Sequence, residues 1–217
     1  MSSYRKEIEG VAIVLAGAFS PAAYTPGWFA AHKLLSTDDA DAADIKVVTN
    51  DVAQFQTDQL LVQVTPDFIE ISTSQSPYEA ARDLMLGALS IAVSPPLRGL
   101  GFSLRRHYQV DDEDAWHDAG HAIVPQDFWN SDLTDPSMRR VQMQGKRNDD
   151  FPGAINLQLE PSVRITNGIY VSVNSHFELD PEEPSSLDTA VEVLESRFES
   201  ELSNAMKLLD MLLEQIA

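Results

Sequence analysis

Cysteine is absent from the 217 residues of this chain. Its absence excludes disulfide bonds, thiolate metal sites and cysteine nucleophiles. Long apolar runs are missing too, because no stretch approaches the roughly 20 apolar residues that a membrane-spanning helix needs. The apolar run from Val11 to Phe19 is short and leads into prolines, which is more typical of a strand than of a signal peptide. We therefore expect a cytoplasmic protein that does not associate with membranes.

Positive charge is scarce: the chain has 15 Lys and Arg residues and 34 Asp and Glu residues, which gives a net charge of −19. A field of this sign repels nucleic-acid phosphates, so we expect no nucleic-acid partner. The charge is uneven along the chain. Residues 1–97 hold 5 basic and 12 acidic residues, residues 98–147 hold 7 and 8, and residues 148–217 hold 3 and 14. This acidic surface favours a protein partner that is itself basic.

Short alternating strands and amphipathic helices follow one another in a repeated order. Helix starts are marked by Thr25-Pro26 and by Ser76-Pro77, where a capping hydroxyl precedes proline. Thr166-Asn167-Gly168 is typical of a hairpin turn. The pattern predicts an α+β fold with a mostly antiparallel sheet and helices on one face. Two tandem β-α-βββ-α units are expected, at 1–96 and 97–217, within one continuous domain.

A helix of about 30 residues is predicted after Ser185, and it would be about 45 Å long. This is longer than one small sheet needs. The excess length predicts a homodimer that forms through this C-terminal helix. The alternative is a helix that lies fully across its own sheet.

Two histidines, His117 and His121, lie four residues apart in a predicted helix and so share one face. Such a pair can bind zinc and would suit a metal-dependent hydrolase. The zinc-protease motif has glutamate directly after the first histidine, whereas Asp118 follows His117 here. Because no third ligand is evident downstream, we expect no cofactor. The alternative role for both histidines is to flank the core.

Arg105, Arg106 and His107 form a candidate anion site within a predicted strand. Consecutive strand residues point to opposite faces, so only one of the two arginines can join a given site. Such a site would suit a domain that binds a small molecule or a nucleotide. The alternative is that both arginines pair with the abundant carboxylates.

Uncharged amide side chains occupy many outward positions of the predicted strands. A merely solvated face would more often carry Lys and Glu, whereas amides offer both donors and acceptors at low desolvation cost. This composition suits a surface that contacts a partner or a polar ligand. A solvated face with a local bias is the alternative. The predicted partner-binding face comprises Gln54, Gln56, Gln142, Gln144, Asn156, Gln158 and Asn174.

Several segments resemble a sporadically distributed family of uncharacterised prokaryotic proteins of about this size. The matching positions are glycines, prolines and aromatic residues, which specify turns and core, so the resemblance implies no functional residue. The patchy distribution of that family implies an accessory role in a defence, counter-defence or toxin–antitoxin system. The segments are residues 17–21 (GAFSP) with 26–29 (PGWF), 96–102 (PLRGLGF), and 161–164 (PSVR) with 168–177 (GIYVSVNSHF).

These observations lead to a first hypothesis of a non-enzymatic protein–protein interaction module. The alternatives are a domain that binds a small molecule or nucleotide, and a metal-dependent hydrolase. At the level of fold alone, the doubled order also resembles the saddle of the TATA-binding protein, whose sheet grips DNA. The net charge argues against that function, so only the mixed-sign segment 98–147 is a place to test for DNA.

Overall fold

A computed structural model of the chain describes residues 4–91, 96–125, 129, 133–134 and 136–216. These residues form nine strands of one antiparallel sheet and five α-helices, which confirms the predicted α+β class. The strands are β1 (Tyr4–Ala16), β2 (Asp44–Val48), β3 (Ala53–Gln56), β4 (Leu61–Val64), β5 (Phe68–Thr73), β6 (Gly99–Val110), β7 (Val141–Lys146), β8 (Gly153–Pro161) and β9 (Gly168–Glu178). The helices are α1 (Pro26–Ala31), α2 (Thr37–Asp41), α3 (Glu79–Ile91), α4 (Glu113–Ile123) and α5 (Ser186–Gln215), and a 3-10 turn spans Pro21–Ala23.

The order of strands across the sheet is β2-β3-β4-β5-β1-β6-β9-β8-β7. The two longest described strands, β1 and β6, pair at the centre. Strands β5, β4 and β3 extend outward from β1, and β9, β8 and β7 extend outward from β6. Residues 1–96 and 97–217 thus share one sheet. The first of these segments contains an additional strand, β2, and the tandem-unit interpretation stays a prediction.

The segment Ser36 to Asp44 contains α2 and the first residue of β2. The Ser36 hydroxyl accepts a hydrogen bond from the Asp39 amide at 3.0 Å and caps α2. No residue of α2 is buried, so no apolar periodicity marks this helix in the sequence. The preceding helix, α1, ends at Ala31, and Lys33 adopts a left-handed φ of 61° just beyond it.

The core lies between one face of the sheet and the helices. Phe29 of α1 contacts Phe55 of β3 with ring centroids 5.6 Å apart, and Phe198 of α5 contacts Phe102 of β6 at the same distance. Helices α3 and α4 also pack on this face, α3 against β1 and β5 and α4 against β6. The side chains that alternate with these core residues project to the other side. We call that side of the sheet the open face.

Most of the apolar stripe of α5 packs against the sheet of its own chain, including Leu194, Phe198 and Leu209. Near the C-terminus, Leu208 and Met211 remain 37 % and 56 % exposed. The long helix is therefore confirmed, and most of its length is used within the chain. A dimer that forms through α5 stays a prediction.

Candidate functional site

All seven amides of the predicted partner-binding face lie on the open face of the sheet. Gln54 alternates with the buried residues Ala53 and Phe55 on β3, and Asn156 is aligned with Asn174 between β8 and β9. Because side chains alternate along a strand, the residues between the core positions share the opposite side. The structure thus places the amides of β3 on the same surface as those of β7, β8 and β9.

An unbroken row of hydrogen-bonded side chains crosses four adjacent strands of this face. The Gln144 side chain donates from Nε2 to Asn156 Oδ1 at 2.9 Å. Asn156 donates from Nδ2 to Asn174 Oδ1 at 3.4 Å, and Asn174 donates from Nδ2 to Ser103 Oγ at 2.9 Å. We call Gln144, Asn156, Asn174 and Ser103 the amide row. Each amide nitrogen carries two hydrogens, so each amide of the row keeps donor capacity for a ligand.

Two further amide pairs lie on the open face, one beside the row and one across the sheet on β3 and β4. Gln142 of β7 donates to Gln158 of β8 at 3.0 Å, and Gln54 of β3 donates to Gln63 of β4 at 3.3 Å. These cross-strand bonds hold the side chains in defined rotamers before any ligand arrives, and this lowers the entropy that binding would cost. Gln56 lies at the end of β3 and is exposed.

Small residues form the floor of the open face on the two central strands. Gly10, Ala12 and Gly101 lie there, and Ala12 pairs with Ser103 between β1 and β6. A Cβ atom at Gly101 would lie 2.8 Å from Asn174 Nδ2, which is too close for ordinary contact. The missing side chain lets the Asn174 amide lie over β6 and reach Ser103. The role of Ser103 could not be predicted from the sequence, because a single serine between apolar neighbours forms no distinctive pattern.

A cavity of about 630 Å³ opens on this face of the sheet. Gln56 of β3 and Gln158 of β8 both line it, although β3 and β8 are six positions apart in the sheet. Residues from strands this far apart can line one cavity because the face between them is concave. Residues of this face that line the cavity are Ile8, Gly10, Gln56, Leu61, Ser72, Arg105, His107, Gln158, Glu160 and Tyr170.

The cavity contains two of the three residues of the candidate anion site. Arg105 Nη1 donates to Glu70 Oε1 at 2.9 Å, so its charge is already paired within the face. His107 lies two residues further along β6; its Nδ1 is 2.8 Å from Ser162 Oγ, and its ring contacts that of Tyr170. Burial lowers the pKa of His107 below its ordinary value, which leaves the imidazole neutral at pH 7. The cavity thus combines a neutral imidazole with the paired Arg105, and the charged residues Asp58, Glu160 and Arg164 also line it.

Arg106 lies on the opposite, helix-covered face, as strand alternation predicts. Its guanidinium pairs with the Glu9 carboxylate and lies 3.3 Å from an oxygen of Asp210 on α5. Tyr78 also donates to Glu9 at 2.7 Å, and burial together with this bond raises the pKa of Tyr78 to about 12. Arg106 therefore links the central strands to α5 and does not join Arg105 and His107.

His117 and His121 lie on α4, which is also on the covered side of the sheet. Their ring centroids are 6.3 Å apart, and both residues line a largely apolar cavity of about 300 Å³ beside Trp116 and Ile123. Among the residues that the structure describes, no group of three His, Asp or Glu side chains is arranged to hold a metal ion. The zinc hypothesis thus gains no third ligand from this part of the chain.

Comparison with known proteins found no protein-family model and no curated protein sequence that matches this chain. The resemblance described above therefore stays a prediction. Within the described ranges, no helix combines the length and the apolar content that crossing a bilayer requires.

Proposed function

We propose that this protein is a binding module that recognises a protein partner through the concave open face. The observation that carries the proposal is the amide row, which presents aligned donors and acceptors on a sheet face that no helix of the described residues covers. Side chains of this kind match peptide groups, because a polypeptide also offers both a donor and an acceptor at each residue.

The charges on the open face favour a polypeptide over a nucleic acid. Arg105 pairs with Glu70 at 2.9 Å, and Arg140 pairs with Glu160 at 2.6 Å. These two cations are neutralised by neighbouring side chains, so they offer phosphates little attraction. Asp58 and Arg164 also lie at the cavity and Lys146 at the end of β7. The amide row between them offers neutral amides and a hydroxyl for recognition.

Because the net charge of the chain is −19, we expect its partner to be a basic protein. A negative field attracts a basic protein from a distance and accelerates its encounter, while the neutral amides determine the fit at short range. Association should therefore slow as ionic strength rises, whereas dissociation should change little.

A pair of matched substitutions tests the proposal. Ser172 lies on the open face, aligned with Gln158 on one side and Arg105 on the other, so Ser172→Lys places a long cation in the concavity. Ser200→Lys makes the same change in charge at an exposed position of α5. The parent protein and both variants serve as bait in a lysate of the source organism, and a captured partner is then purified.

The proposal predicts that the partner binds the parent and the Ser200→Lys variant with equal affinity, and binds the Ser172→Lys variant at least about tenfold more weakly. Equal binding by all three proteins would show that the open face is not the contact surface. The absence of any specific partner under conditions where the protein is folded would count against an interaction module altogether.

A second candidate function rests on the cavity itself. Its volume of about 630 Å³ is suited to a small polar molecule, and Arg105, His107 and Tyr170 converge on it. A thermal-shift screen with nucleotides and small polar metabolites tests this function. Stabilisation that disappears in His107→Ala would favour a small ligand, and a flat result across the screen would remove this candidate.

A further inference from the structure

Strand β7 forms an outer edge of the sheet, and five of its six residues are exposed. An edge strand leaves backbone N–H and C=O groups unpaired along one side, and these groups can accept a further strand. Proteins usually protect such an edge with charge, proline or a bulge. The core of β7, from Gln142 to Gly145, contains neither charge nor proline, and its pairing with β8 is regular throughout.

The opposite edge, β2, is protected by more than the single terminal charge, Lys146, that β7 carries. Its register with β3 is interrupted by a bulge between Ile45 and Val47. Asp44 and Lys46 place two charges on the five-residue strand and pair with each other. The two edges of the sheet thus differ, and of the two strands β7 is the better suited to accept a further strand.

The side chains of β7 complement a second copy of themselves. In an antiparallel pair centred on Gln142, this residue faces Gln142 of the second copy, and Met143 faces Val141. Residues 138–140, which lead into β7, join the pairing by facing the second half of the strand. The Met143 side chain lies on the helix side of the sheet and is 63 % exposed, so such a contact would remove apolar surface from water. Gln144 would face Arg140, which places an amide acceptor opposite a guanidinium donor and avoids facing like charges.

The edge is less acidic than the rest of the chain, which lowers the repulsion between two copies. Arg139, Arg140 and Lys146 lie along it, and the charge of Arg140 is paired with Glu160, whereas residues 1–97 and 148–217 together account for a net −18. By contrast, the exposed Leu208 and Met211 of α5 have Asp210 between them, with a side chain that is 65 % exposed. Approach through α5 would therefore bring like charges together.

We propose that two copies of this chain associate through antiparallel pairing of their β7 strands about a two-fold axis. The pairing joins two nine-stranded sheets into one. It also brings the two open faces side by side, so that the hydrogen-bonded Gln142–Gln158 pair of one copy meets the same pair of the next. This dimer does not depend on which partner the open face binds.

Molar mass in solution tests the proposal with two matched substitutions. Analytical ultracentrifugation of the parent chain should give twice the 24.0 kDa of the monomer. Met143→Lys introduces a charge at the centre of the paired edge and should give a monomer at the same concentration. Met211→Lys makes the same change at a methionine of similar exposure on α5 and should leave the dimer intact. Both positions are more than half exposed, so both variants should keep the parent circular dichroism spectrum.

Single-cysteine variants determine the register, because the chain has no cysteine of its own. Under mild oxidation, Gln142→Cys should form an interchain disulfide, since this residue faces its own copy. Leu208→Cys should form no interchain disulfide under the same conditions, although its β7 dimer stays intact. A parent chain that is monomeric at every concentration would overturn the proposal. So would a dimer that Met211→Lys dissociates and Met143→Lys does not.

Discussion

The buried ion pair between Arg147 and Glu201 gives the most quantitative test of how the β7–β8 wing is held in place. Arg147 directly follows β7, and its Nη2 lies 2.6 Å from Glu201 Oε1 on α5. The two side chains are only 3 % and 7 % exposed. The guanidinium also stacks 3.7 Å from the ring centre of Phe177. This contact ties the strands that carry half of the amide row to the long helix. We predict that Glu201→Gln destabilises the fold strongly.

The magnitude follows from what the substitution leaves behind. Removing one partner of a buried ion pair costs about 3–5 kcal/mol, because the remaining charge stays out of water. Arg147 would keep Asp149, whose oxygen lies 2.7 Å from Nη2 and whose side chain is 28 % exposed. We therefore expect the lower end, about 3 kcal/mol, which for a domain of this size corresponds to a fall in Tm of about 6–12 °C.

Urea unfolding followed by circular dichroism measures this difference, and Glu199→Gln is the matched control. Glu199 lies on the same helix, is 78 % exposed and reaches Arg82 only at 3.8 Å. Its substitution should change the free energy of unfolding by less than about 1 kcal/mol. The prediction would be wrong if Glu201→Gln also lowered the free energy of unfolding by less than about 1 kcal/mol with an unchanged m value. The pair of Arg147 and Glu201 would then behave like a surface contact.

Two further predictions concern backbone strain and pH. Gly153 has a φ of 142°, and a Cβ there would lie 2.1 Å from the backbone oxygen of His176, so Gly153→Ala should cost at least about 2 kcal/mol. Gly120→Ala, in a helix with open space around it, should instead stabilise by about 0.5–1 kcal/mol in the same urea assay. His107 has a lowered pKa in the folded state, so the unfolded chain binds more protons as the pH falls below about 6.5. Stability should therefore fall with pH through that range, and His107→Gln should remove this part of the slope; an unchanged slope would contradict the assignment.

The faces of the strands could be predicted from the sequence because strand side chains alternate with a period of two. That rule alone separated Arg105 from Arg106, and it placed all seven amides on one side of the sheet. Hairpin chemistry at Asn167 was equally local, since the residue adopts the left-handed φ of 52° that such a turn needs. These predictions depend on neighbours in the chain and on nothing more distant.

The features that could not be predicted depend on contacts distant in sequence. The bond from Asn174 to Ser103 joins residues 71 positions apart and needs the register between β6 and β9. The curvature that brings β3 and β8 to one cavity arises from the packing of the whole sheet. Strand β2 was missed because four of its five residues are exposed, so its sequence lacks an apolar face.

Site-directed photo-crosslinking tests directly whether the open face contacts the partner. Gln56→Cys and Ser200→Cys each introduce one cysteine into a chain that has none, so a thiol-reactive benzophenone attaches at a single known position. Gln56 lines the cavity from the exposed end of β3, where a bulky label leaves the centre of the open face accessible. Illumination in the presence of the captured partner should crosslink the label at residue 56 to the partner, and the label at residue 200 should give no crosslink to it. Efficient crosslinking at residue 200 with none at residue 56 would show that the partner binds elsewhere.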